Sequence, residues 1–171
     1  WFELNRWFEA GNISTGDNML NVAIVGLGRW GQRLVNSVQS DGEPKGEHIR
    51  VTHGVTRTPS KATDFCSLHG IGLSDDYLAV LDEPGLDAVL LATPHSQHAS
   101  QIAAAAAAGK HVFVEKPLTL DKASAITAVA ACEAAGVVLA LGHNRRFLPA
   151  MQNLKSMVDS GELGTILHIE G

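Results

Sequence analysis

Three glycines at G-x-G-x-x-G spacing, Gly26, Gly28 and Gly31, have the chemistry that is easiest to name. Backbone without a Cβ can turn tightly, approach a pyrophosphate and let a helix pack close to a strand, leaving phosphates at the helix N-terminus. The chain has 17 glycines among 171 residues, so the spacing alone is weak and its flanks decide. On one side lie Val22, Ala23, Ile24 and Val25, a β-favouring apolar run; on the other Leu34, Val35 and Val38 recur at helical spacing. The stretch Gly26, Leu27, Gly28, Arg29, Trp30 and Gly31 therefore reads as a cofactor loop between a strand and a helix.

A second group, Thr56, Arg57, Thr58 and Lys61, ends the alternating apolar stretch of residues 48–56. In a dinucleotide fold a carboxylate roughly 20 residues past the glycines holds the adenosine ribose hydroxyls. None is present here. A carboxylate would repel a 2′-phosphate, whereas Arg57, the hydroxyls of Thr58 and Ser60, and Lys61 can pair with one, so the expected cofactor is NADP, with NAD possible.

The third group follows the apolar residues 86–92 and reads Ala92-Thr93-Pro94-His95-Ser96-Gln97-His98. His95 and His98 have the i, i+3 spacing of a metal pair, but no cysteine or carboxylate at ligand-like spacing joins them. The reading is polar lining of a cofactor pocket and no metal. Glu115 and Lys116, ahead of Pro117, end another apolar strand and join the cofactor-binding candidates. A lysine at that edge can polarise a substrate oxygen or, when desolvated, exchange a proton, which makes it the candidate catalytic residue.

The elements that must position these groups alternate. Strands are expected at residues 22–25, 48–56, 70–73, 86–92, 111–115 and 137–141, with helices after the glycines, at 60–69, 75–81, around 102–108 and at 121–135, and a polar loop at 40–47. Alanines 103–108 fit close helix-to-sheet packing, and Gly109 and Gly136 close their helices. Strands and helices at this period mean an α/β, doubly wound parallel sheet of Rossmann type, whose ligands bind beyond the C-terminal strand ends.

Bulk properties bound the partners. A formal net charge of −5 and a pI near 5.9 speak against non-specific nucleic-acid or membrane-surface binding. No apolar run approaches the length of a membrane span. Cys66 and Cys132 lie in helical segments without a C-x-x-C pair, as expected of buried reduced thiols in a cytoplasmic protein. Residues 1–18 hold four of the nine aromatics and precede Met19, and they are expected to stand outside the fold as an extension.

The motifs GLGRWG, ATPHSQH, AGKHVFVEKPL, GHNRRFLPA and SGELGTI, in this order between Asn21 and Gly171, resemble the Gfo/Idh/MocA family of oxidoreductases. The resemblance implies a Rossmann domain (residues 19–146), hydride transfer between a nicotinamide and a sugar, polyol or related substrate, and a second α/β domain that supports substrate binding and homo-oligomer contacts. It implies that Lys116 acts beside the nicotinamide, that Thr93, Pro94, His95 and His98 line the cofactor, and that Arg146 sits near the domain junction. Family members are about twice as long. Residues 147–171 are therefore expected to begin a truncated second domain, with an amphipathic helix at 147–160 and a strand at 165–169. The alternative is a non-catalytic dinucleotide-binding module or sensor partner.

Overall fold

The computed structural model describes residues 19–46 and 48–170, so the expected extension, residues 1–18, lies outside the described residues. The main elements are β1 (Leu20–Val25), α1 (Arg29–Val38), β2 (Ile49–Val55), α2 (Thr63–Leu68), β3 (Gly72–Ser74), α3 (Tyr77–Leu81), β4 (Ala88–Leu91), α4 (His98–Ala107), β5 (His111–Val114), α5 (Lys122–Ala135), β6 (Leu139–Leu141) and α6 (Pro149–Asp159). Six strands form one sheet in the order β3-β2-β1-β4-β5-β6, every neighbouring pair parallel. The strand order reverses between β1 and β4, the place where doubly wound sheets open a crevice at their C-terminal edge.

Two apolar layers explain why the central strands carry continuous apolar runs. Val22 and Ile24 of β1 pack with Leu34, Val35 and Val38 of α1 and Cys66 of α2. The intervening Ala23 and Val25 face the other way, toward Val80 and Leu81 of α3, Ile102, Ala105 and Ala106 of α4, and Ala128 and Cys132 of α5. A strand buried on both faces cannot spare a polar alternate position. Burial also pushes the thiols of Cys66 and Cys132 up from their ordinary range, which keeps them protonated and unreactive.

Several local expectations are corrected. The loop expected at 40–47 contains a small hairpin, Gln39–Ser40 against Glu43–Pro44, turned by Asp41 and Gly42, both at positive φ. Gln39 is fully buried, and its side-chain amide works as a piece of strand: Oε1 accepts from Val51 N at 2.8 Å, while Nε2 donates to Val51 O at 3.3 Å and His69 O at 3.1 Å. It satisfies β2 where the short β3, which pairs only with residues 53–55, does not reach. The helix expected at 60–69 is split into a 3₁₀ turn, Pro59–Lys61, and α2.

Residues 165–169 form no strand; Leu167 and Ile169 are 91% and 84% exposed. A strand needs a ladder partner, and no strand among the described residues lies beside this segment. The apolar stripe of α6, Met151, Leu154 and Val158, is likewise about half exposed. No helix among the described residues is long and apolar enough to cross a membrane.

Candidate functional site

Gly26 and Gly31 are where the chain permits no side chain. Gly26 has φ +98°, and a Cβ on it would lie 2.6 Å from the Ala92 carbonyl oxygen; a Cβ on Gly31 would lie 1.9 Å from the Gly26 carbonyl oxygen. These contacts pack the β1 end against the β4 end and bring α1 down onto the loop. At Gly28 an added Cβ would meet nothing within 4 Å, so the space beside it is open.

Gly28 also caps α1, and no side chain bonds to that helix start. The first main-chain bond back is Gln32 N to Gly28 O, at 3.0 Å, so the helix's own hydrogen-bond ladder begins at Gln32. An uncapped N-terminus with no first-turn acid attracts anions through its amides and dipole.

The loop opens onto a cleft of about 680 Å³ along the C-terminal ends of β1, β2, β3 and β4. Its walls include Gly26, Leu27 and Gly28, then Thr56, Arg57, Thr58 and Lys61, then Ala92, Thr93 and Pro94. Arg57, Thr58 and Lys61 are exposed at one end. At the wall formed by α4, Thr93 Oγ1 donates to Gln101 Oε1 at 2.6 Å, and the buried-side Tyr77 hydroxyl donates to Gln101 O at 2.9 Å. Burial holds the Tyr77 phenol far above its ordinary value, so it remains a donor.

A second cleft, of about 420 Å³, is lined by Lys116, Gly142, His143, Asn144, Arg145 and Arg146 at the ends of β5 and β6. Glu115 stands beneath it: a Cβ on Gly142 would come within 3.1 Å of its carboxylate. His98 links the two clefts. It is wholly buried, with Nε2 at 3.0 Å from Thr93 O and Nδ1 at 2.9 Å from Pro117 O. One ring thus spaces the rim of the first cleft from the segment that carries Lys116.

Placed on this geometry, the expected site residues divide. Gly26, Leu27, Gly28, Thr56, Arg57, Thr58, Lys61, Ala92, Thr93 and Pro94 share the first cleft, and Lys116 and Arg146 share the second. Others do not line either cleft. His98 faces backbone carbonyls, and His95 is exposed with its ring 5.6 Å from that of His98. Arg29 is exposed, and Trp30 packs on the α1 side of the sheet with the Arg33 guanidinium over its ring; neither is among the residues that line the cleft. Gly31 is buried at the helix–strand contact.

Asp75, Tyr77 and Gln101 line the first cleft without having been singled out. Asp75 directly follows β3, so the rule that picked out the other strand ends could have found it. Among the described residues no three His, Cys, Asp or Glu side chains are grouped to hold a metal ion.

A parallel sheet whose order reverses at β1 and β4, with a glycine loop and a bare helix start at that reversal, defines a Rossmann dinucleotide-binding domain. The chain belongs to the Gfo/Idh/MocA oxidoreductase family, whose NAD-binding Rossmann fold it matches over residues 20–143. It is 33% identical over 167 residues to the scyllo-inositol 2-dehydrogenase (NAD(+)) of Bacillus subtilis, covering 91% of this chain and 44% of that protein.

Among solved structures it resembles scyllo-inositol dehydrogenase from Lactobacillus casei with bound NAD(H) and scyllo-inositol, with a TM-score of 0.80 at 28% identity over 87% of this chain and 43% of the other. It also resembles a 3-ketoreductase from Actinomadura kijaniata in complex with TDP-benzene and NADP, with a TM-score of 0.76 at 28% identity over 84% of this chain and 44% of the other. The chain spans under half the length of these relatives.

Proposed function

We propose that the chain carries the cofactor-binding part of an oxidoreductase that moves hydride between a nicotinamide, NADP ahead of NAD, and a sugar, polyol or related carbonyl or alcohol substrate. The observation that carries this reading is the uncapped start of α1 at Gly28, open to a cleft whose far end presents Arg57, Thr58 and Lys61. The open space beside Gly28 suits a close-packed pyrophosphate, which the start of α1 would hold through its dipole and main-chain amides. Arg57 and Lys61 would pair with a 2′-phosphate, and Thr93 and Pro94 would flank the cofactor toward the second cleft.

The bound nicotinamide would supply or accept hydride at C4. Lys116, exposed at the rim of the second cleft, would donate a hydrogen bond to the substrate oxygen, stabilise negative charge developing there and exchange its proton. His98 would hold the backbone on which Lys116 stands. On this reading residues 19–146 are the dinucleotide domain and residues 147–171 lead into a substrate domain, which would also carry homo-oligomer contacts. The buried thiols fit a cytoplasmic setting.

Turnover tests the reading. A protein containing this chain and the remainder of the length its relatives share should oxidise or reduce members of a polyol and sugar panel with NADP(H), and Lys116→Ala should abolish turnover while leaving NADPH binding within about threefold. NADPH binding without turnover on any substrate would favour the sensor module, and tighter binding of NADH than of NADPH would refute the cofactor preference.

A further inference from the structure

We propose that Asp75 sets how far the cleft prefers NADP: its carboxylate is a fixed negative charge at the adenosine end, opposing a 2′-phosphate and accepting a hydrogen bond from an unphosphorylated ribose. The proposal rests on the dinucleotide reading above and assigns a specificity role to a residue outside the expected site.

The placement follows from the strand ends. Val55 pairs with Ser74 and Thr56 N donates to Ser74 O at 3.0 Å, so the residue after β3, Asp75, follows opposite Thr56 and lines the same cleft as Arg57. The backbone on its C-terminal side is pinned, because Ser74 Oγ accepts from Asp76 N at 3.0 Å and donates to Asp76 O at 3.3 Å. The neighbouring Asp76 carboxylate is already occupied, accepting from Ala79 N at 3.1 Å to cap α3. Asp75 is different: it lines the cleft, is exposed, and its carboxylate takes part in no hydrogen bond or ion pair with the described residues. It is therefore an acceptor held in place and free for a ligand.

The chemistry of the two cofactors differs at this end. A 2′-phosphate brings strong negative charge, which Arg57 and Lys61 attract and Asp75 repels. A free ribose diol has O–H donors, and the end of β2 offers them no carboxylate; Asp75, one strand over, does. The acid has moved from the second strand end to the third, where it shares the cleft with the cations instead of excluding them. The expected result is a chain that takes NADP first by a narrow margin.

The test is titration of the whole chain with NADPH and with NADH, each followed by nicotinamide fluorescence, for the parent, Asp75→Asn and Asp75→Ala. Removal of one charge at this range should tighten NADPH binding about five- to tenfold, with the gain shrinking at higher salt. NADH binding should stay level or weaken, in both variants alike. Equal changes in the two affinities, as expected if Asp75 addresses the adenine base, or an affinity ratio that moves less than twofold, would overturn the proposal. A parent chain that binds neither nucleotide would overturn the dinucleotide reading together with it, whereas binding with an unmoved ratio refutes the role of Asp75 alone. Unchanged melting of the apo variants shows that the ratio reports binding and not damage.

Discussion

Gly28→Ala and Gly31→Ala should fail in opposite ways. Gly28 has φ −70° and ψ −176°, which any L-residue adopts, and an added Cβ touches nothing within 4 Å. Alanine there removes freedom from the unfolded chain, so the apo protein should keep its stability or gain about 0.4–1 kcal/mol. The new methyl, however, fills the space where a pyrophosphate must come against the start of α1. Losing two charge-assisted hydrogen bonds at about 1.5–3 kcal/mol each weakens binding at least about 100-fold. At Gly31 the added Cβ would lie 1.9 Å from the Gly26 carbonyl oxygen, a backbone atom, so α1 must shift to make room. Overpacking of this kind costs about 1–3 kcal/mol, or about 2–12 °C in melting temperature for a chain this size. Thermal unfolding of the apo variants with NADPH titration separates the two. A Gly28→Ala protein that binds NADPH within threefold of the parent, or melts as low as Gly31→Ala, would refute the reasoning.

Further outcomes follow from single contacts. His98→Ala should lower stability by about 2–4 kcal/mol in denaturant unfolding, because it opens a cavity and removes the ring N–H that serves one of the Thr93 and Pro117 carbonyls. Tyr77→Phe removes the bond to Gln101 O and should cost about 1 kcal/mol by the same assay. Acid should destabilise the fold through His111 and His69, whose pKa values burial pushes below 6.5. The Val138 amide donates to His111 Nδ1 at 3.0 Å and so requires a neutral ring. With folded pKa values lowered, the unfolded chain takes up protons first as pH falls through about 6.5; stability is complete above that value and declines below it. Melting temperature against pH should show that decline, and His111→Gln should flatten it. Arg57→Ala should weaken NADPH about tenfold and NADH within twofold, by fluorescence titration.

The sheet was legible because its central strands are buried on both faces. Val22 to Val25 and Ala88 to Leu91 leave no polar position to confuse the reading, and Gly109 and Gly136, at φ +68° and +66°, stop their helices. Legibility failed where tertiary contacts override local pattern. Gln39 looks like a loop residue, yet it is buried because β2 needs a partner at Val51. His98 looks like pocket lining because spacing cannot say which side of α4 faces the sheet; its ring turned inward, and Thr93 and Pro94 kept the cleft. Residues 165–169 are β-favouring and largely apolar, yet no strand among the described residues pairs with them, and pairing is what makes a strand.

On the proposed function, the start of α1 and the ends of β2 and β4 form one dinucleotide site. Amide NMR spectra of this chain titrated with NADPH test it most directly. The account predicts saturable shifts at Gly26, Gly28, Arg29 and Trp30, at residues 56–61 and at Thr93, with the N-terminal ends of the strands unmoved. Absence of saturable shifts, or shifts centred away from the C-terminal edge of the sheet, would contradict it.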